Sequence, residues 1–140
     1  MKFALLLAIF VVVIDQVVKA LVVKFGYPYV INSGGVFGLF PGTVWIQPLV
    51  VVACSIVFGY WVVRSKRASR QELVVIGLFA GGGFANLLDR LRFGGVVDFI
   101  DIGIFTSFNL ADLAIVGGLV IFLCQRTFQV ILNNLNKNKI

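Results

Sequence analysis

The stretch KFALLLAIFVVVIDQVVKALVV, residues 2–23, decides how this chain is built. It is long enough to cross a bilayer, which takes about 20 predominantly apolar residues, yet Asp15, Gln16 and Lys19 interrupt its second half. Three further stretches have the same character. The resulting spans, about 3–23, 43–63, 72–90 and 109–126, use up more than half of the 140 residues. The pieces between them are too short for a second domain. Residues 1–140 therefore read as one all-α membrane domain, a four-helix bundle with a small extracytoplasmic loop or β region. A short extended segment is expected around Tyr29 to Ile31.

Composition agrees with that reading. Hydrophobic residues make up 60% of the chain and charged ones 13%, with a mean hydropathy of +1.04, whereas soluble domains average about 45–50% and about 25%. Low-complexity disorder has no support in this sequence. Neither a disulfide framework nor a zinc module is expected, because there is no histidine and Cys54 and Cys124 each stand alone in an apolar run. The net charge of +6 gathers in no stripe that would suit a nucleic acid. It belongs to membrane topology instead, since Lys and Arg are retained on the cytoplasmic side of short loops. Lys2, Arg64, Lys66, Arg67, Arg70, Arg126, Lys137 and Lys139 fall on one side, and Lys24, Arg90 and Arg92 on the other. Both termini are thus expected in the cytoplasm, with residues 24–42 and 91–108 outside. No small-residue cleavage site follows residues 2–23, which read as a retained span rather than a secretory signal.

Charge inside a bilayer is costly, about 2.5–3.5 kcal/mol for an Asp or Lys at mid-span on insertion scales. Asp15, Gln16, Lys19, Asn86, Asp89, Arg90, Asn109 and Asp112 therefore stand out. Asp15 lies roughly 18 Å beyond Phe3 at 1.5 Å per helical residue, past the midplane. The third span ends with Asn86, Asp89 and Arg90, and the fourth begins with Asn109 and Asp112. All three sets meet near the outer surface, and spacings of three or four put each set on one helix face. Ion pairing that merely makes a bundle interior tolerable explains Asp15 with Lys19, or Asp89 with Arg90 and Arg92, about equally well. Glycines 81–83 and 117–118 suit close helix packing. Trp45, Tyr60 and Trp61 suit the membrane interface, as does Gln47.

Asp98 and Asp112 are harder to dismiss, because neither has a basic neighbour in sequence. Two carboxyls a few ångströms apart cannot both ionise cheaply, so one keeps a proton while the other acts as base. Such a pair can activate water against an amide and protonate the leaving nitrogen. Sequence chemistry does not separate Asp98 from Asp101, three residues further on. Two other classes remain open from the residues alone: a small proton-coupled transporter using Asp15, and a scaffold protein packing partner helices on its glycine faces.

In order along the chain stand DQVVK (15–19), NSGGVF (32–37), GGGFANLLDR (81–90), VVDF (96–99) and FNLAD (108–112). This series resembles the successive motifs of the type II, or lipoprotein, signal peptidases. The resemblance implies a cofactor-free, metal-free aspartic endopeptidase of the bacterial cytoplasmic membrane, acting near its outer face as a monomer. Its implied partners are membrane lipids and a prolipoprotein, which it cuts immediately before a diacylglyceryl-modified cysteine. Carried over by position, the catalytic pair falls on Asp98 and Asp112, with Asp15, Lys19, Asn32, Gly34, Asn86, Asp89, Arg90 and Asn109 shaping the site. The first outer loop, with Gly34, Gly35 and Gly38, is expected to open and close over the cleft. Two departures from the family pattern stand in this chain. Ala85 replaces a usual glycine, and the segment from Asp98 to Asp112 is short.

Overall fold

A chain in lipid must satisfy its own backbone groups, so helices carry the spans. In the computed structural model, which describes residues 1–33, 46–64, 69–104 and 106–137, the elements run α1 (Lys2–Phe25), β1 (Val30–Asn32), α2 (Ile46–Arg64), α3 (Arg70–Phe93), β2 (Val96–Asp98) and α4 (Leu110–Lys137). Among the described residues three helices are long and apolar enough to cross a membrane: Lys2–Phe25, Arg70–Phe93 and Leu110–Asn136. The second expected span corresponds to α2 from residue 46 onward, while Thr43 to Trp45 lie outside the described residues. So do Gly34, Gly35 and Gly38, and with them the expectation of a closing loop. The side chains of Gln47 and Trp61 are likewise not described, whereas Tyr60 is exposed.

The helix ends follow local chemistry. Ser69 and Glu72 form a reciprocal capping box at the start of α3, Ser69 Oγ accepting from the Glu72 N–H and Glu72 Oε2 from the Ser69 N–H. Gly26 after α1 and Gly94 after α3 each adopt φ 68°, a left-handed state that costs glycine little. Both turns lead the chain toward a strand.

α3 is the centre of the bundle and packs against all three other helices. Small residues on it bring the neighbours close. A Cβ on Gly77 would stand 2.9 Å from the Ala4 carbonyl oxygen, and one on Gly81 would stand 2.7 Å from Val11 Cβ. A Cβ on Gly82 would stand 2.5 Å from the Ala111 carbonyl oxygen. Gly118 rests near the Phe79 ring, but among the described residues nothing lies within 4 Å of a Cβ built on Gly117, so the structure gives a packing contact for the first and not for the second. Successive α3 residues meet successive α1 residues in the same order, so the two run parallel. α4 runs antiparallel to α3, with Gln125 donating to Gln71 at 2.9 Å near the end opposite Ala111. Phe3 and Arg70 meet at that same end, the guanidinium 5.8 Å from the ring centroid.

At the other end β1 and β2 pair antiparallel with Val30 opposite Asp98, Ile31 opposite Val97 and Asn32 opposite Val96. A bridge between Ile100 and Phe108 then closes the following loop and returns the chain to Asn109. The outward faces of α1 and α4 carry exposed Leu6, Phe10, Val120 and Phe128, as lipid-facing surfaces do.

Candidate active site

The parallel α1–α3 packing and the antiparallel α4 bring the three polar stripes to one end of the bundle. Lys19 sits in the middle. Its Nζ lies 2.7 Å from Asp15 Oδ2 and 2.7 Å from Asp89 Oδ2, and donates to Asn86 Oδ1 at 3.3 Å. Three ammonium hydrogens thus meet three acceptors. Asp15, Lys19 and Asp89 are 0%, 4% and 1% exposed, and charges so deeply buried persist only when paired and hydrogen-bonded.

Each carboxylate of that trio also holds a backbone segment. Asp15 Oδ1 accepts the Ala111 N–H at 3.0 Å, satisfying one of the otherwise unpaired amides at the start of α4. Asp89 Oδ2 accepts the Val97 N–H at 3.1 Å, which anchors β2 one residue before Asp98. Gln16 completes the set by donating to Asp89 Oδ1 at 2.7 Å and to the Ala85 carbonyl at 3.3 Å. Ala85 is fully buried there, so the methyl group that replaces a glycine hydrogen is accommodated.

Asp98 and Asp112 are then connected by amides. Asn109 Nδ2 donates to Asp98 Oδ1 at 2.6 Å and to Asn86 Oδ1 at 3.2 Å, and Asn86 Nδ2 donates to Asp112 Oδ1 at 2.8 Å. From the far side Asn32 Nδ2 reaches Asp98 Oδ2 at 2.9 Å, diagonally across the β1–β2 ladder. Burial pushes the Asp98 carboxyl up from its ordinary value to about 6, helped by the nearby Asp112 charge and opposed by the hydrogen bonds from Asn32 and Asn109. Asp98 is 2% exposed and Asp112 half-buried. Arg90, 3% exposed, donates to the Asn86 carbonyl at 3.3 Å and feels the charges of Asp112, Asp98 and Asp89. A cavity of about 470 Å³ opens beside Asp98, walled by Val22, Tyr29, Val30, Phe99 and Ser107, with Asp101 on its wall as well but outside the hydrogen-bonded network of Asp98.

The sequence-derived candidates Asp15, Lys19, Asn32, Asn86, Asp89, Arg90, Asp98, Asn109 and Asp112 thus form one connected constellation, while Gly34 lies outside the described residues. Asp101 separates from it. Its exposed carboxylate accepts the N–H of Gly103 at 2.8 Å, an Asx-type turn within its own loop. One residue, Gln16, and one pairing, that of Asn109 with Asp112, are not given by sequence reasoning. Gln16 interrupts the first span but was assigned no role, although a span polar residue one position from Asp15 was a signal. Asn109 and Asp112 cap each other: Asn109 Oδ1 accepts the Asp112 N–H at 3.0 Å and Asp112 Oδ2 the Asn109 N–H at 3.3 Å. An Asn three residues before an Asp at the head of an apolar run is the corresponding sequence signal.

The family model described as signal peptidase (SPase) II matches residues 7–128. The chain belongs to this family. The lipoprotein signal peptidase of Syntrophomonas wolfei subsp. wolfei is 40% identical over 130 residues, covering 81% of this chain and 85% of that protein. The one from Halothermothrix orenii is 35% identical over 140 residues, covering 86% and 94%. A solved bacterial membrane enzyme superposes with a TM-score of 0.82 at 25% identity, over 93% of this chain and 90% of its own. As a signal peptidase II, the protein is a membrane peptidase of the aspartic class.

Proposed function

We propose that this signal peptidase II removes the signal peptide of prolipoproteins by cutting immediately before the diacylglyceryl-modified cysteine, with Asp98 and Asp112 as the catalytic pair and water as nucleophile. The observation that carries this is the bridge from Asp98 through Asn109 and Asn86 to Asp112. It presents two carboxyls to one region in different environments. Asp98, the more buried and pushed up to about 6, keeps the shared proton, and half-buried Asp112 takes one from water.

In the first step Asp112 removes a proton as the water oxygen attacks the scissile carbonyl carbon, and Asp98 protonates the carbonyl oxygen. Asp112, now protonated, gives its proton to the departing amide nitrogen, Asp98 recovers the hydroxyl proton, and the carbonyl re-forms as the C–N bond breaks. The pair returns to one proton. Asn32 and Asn109 hold Asp98 in place through its two oxygens. The cationic Arg90 and Lys19 keep the net charge of the pocket tolerable.

In this reading all four helices cross the membrane as one domain over residues 1–140, with both termini in the cytoplasm and the constellation at the outer lip of the inner membrane. The excess of Lys and Arg at the opposite end supports that orientation. A monomer suffices. The apolar part of the signal peptide lies alongside the spans while the substrate's acyl chains remain in the outer leaflet, which sets the scissile bond at the depth of the carboxyls. The test is cleavage in vitro of a diacylglyceryl-modified proprotein beside its unlipidated twin. Selective cutting of the lipidated form supports the reading, and indifference to lipidation overturns the substrate assignment.

A further inference from the structure

The outer-side basic residues pose a question of their own, because translocated loops ordinarily avoid Lys and Arg. Lys19 and Arg90 are taken up by the buried carboxylates and amides. Lys24 and Arg92 are not. Both are exposed and both line a second cavity of about 300 Å³ in the cleft between α1 and α3, on which neither Asp98 nor Asp112 opens. Its wall is apolar on the membrane side, with Ala20, Val23 and Phe93 exposed there. The Lys24 ammonium also lies 5.7 Å from the Phe25 ring centroid, at the level where aromatic side chains mark the interface.

Arg92 is held in one orientation. One of its guanidinium nitrogens donates to Gln16 Oε1 at 2.8 Å, which orients the planar group and leaves its remaining N–H donors for a bidentate acceptor. The carboxylate on the cavity wall, Asp89, has both oxygens engaged, by Gln16 on one side and by Lys19 and the Val97 N–H on the other, and the Lys19 ammonium on the same wall offsets part of its charge. An oriented guanidinium and a flexible ammonium above an apolar wall match a phosphate diester attached to acyl chains.

We propose that the Lys24–Arg92 cleft binds the phosphate of an anionic phospholipid headgroup in the outer leaflet. The leaflet assignment rests on the orientation given under Proposed function, and the ligand chemistry does not. Bound there, the lipid sits behind the α1–α3 seam and contacts Gln16, whose amide holds Asp89 and through it the strand bearing Asp98.

The test uses the full-length protein in mixed micelles of phosphatidylglycerol and phosphatidylcholine, with retained lipid counted by native mass spectrometry. Wild type is expected to retain phosphatidylglycerol selectively. Lys24→Gln and Arg92→Gln should each weaken retention about fivefold, and the double variant about thirty-fold, given the usual contribution of one basic residue at an anionic surface. Lys24→Arg, which keeps the charge beside an intact Arg92, should keep selectivity and shows that the loss in Lys24→Gln is one of charge rather than folding. Equal retention of the two lipids, or undiminished retention by a folded double variant, overturns the proposal. Displacement of the lipid by millimolar inorganic phosphate assigns the cleft to free phosphate and overturns the lipid. Asp98→Asn should bind phosphatidylglycerol as wild type does, so the lipid site and the peptidase reading fail separately.

Discussion

Asn109 donates one amide hydrogen to Asp98 Oδ1 over 2.6 Å while its own backbone N–H is held by Asp112 Oδ2 at 3.3 Å. The residue that caps α4 therefore touches both carboxyls. The helix cap and the link between the two carboxyls are the same set of bonds here, and anything that shifts the first turn of α4 shifts both.

Asp98→Asn and Asp112→Asn should each lower cleavage of a lipidated proprotein by about 10²–10⁴-fold, the usual contribution of general acid–base catalysis, with insertion and fold retained. Asp101→Asn should change turnover by less than about twofold, because its carboxylate faces its own turn. Comparable losses for Asp101→Asn would move the dyad to the wrong side of the loop.

The rate should depend on pH through Asp98. A carboxyl raised to about 6 must be protonated to act as acid, so kcat/KM is expected to fall as pH rises through that value. Asn32 stabilises the ionised form, so Asn32→Leu should raise the Asp98 value further and move the alkaline limb to higher pH. The same shift bears on stability: a carboxyl raised on folding costs stability as pH climbs from the unfolded value toward about 6. A pH profile of Asn32→Leu that moves down instead contradicts the assignment.

Lys19→Met should be among the most damaging changes that leave Asp98 and Asp112 in place. It strands Asp15 and Asp89 without their cation, which for a buried pair costs about 3–5 kcal/mol. Thermal unfolding in detergent should show the loss, and adding Asp89→Asn to Lys19→Met should recover part of it. A double variant no more stable than the single one would show that the pair is not coupled.

Gly82→Ala and Gly117→Ala form an internal control. A methyl at 82 has to displace the Ala111 carbonyl, beside Asp112, whereas at 117 it meets none of the described residues. Turnover should drop for the first, since a 1 Å misplacement can cost about 100-fold, and stay near wild type for the second.

The helix elements and most members of the buried polar constellation are legible in the sequence. Apolar runs near 20 residues have few alternatives in lipid, and the positions of Asp15 and Lys19, of Asn86, Asp89 and Arg90, and of Asn109 and Asp112 place each set on one face by the helical period. Gln16 was visible as an interruption, but its partners are 69 and 73 residues away and no local spacing names them.

What the sequence determined by itself is the membrane character, the helices and the end of each helix at which polar groups gather, because each depends on composition and on a local repeat. What only the tertiary structure decided is which loop carboxyl joins Asp112. Asp98 and Asp101 differ by three residues in an irregular segment, where no period assigns a face. The Val30–Asp98 register and the Asp89 bond to Val97 turn Asp98 inward, and the turn at Gly103 holds Asp101 outside. Those bonds join elements far apart in the chain, so they exist only once the helices have packed.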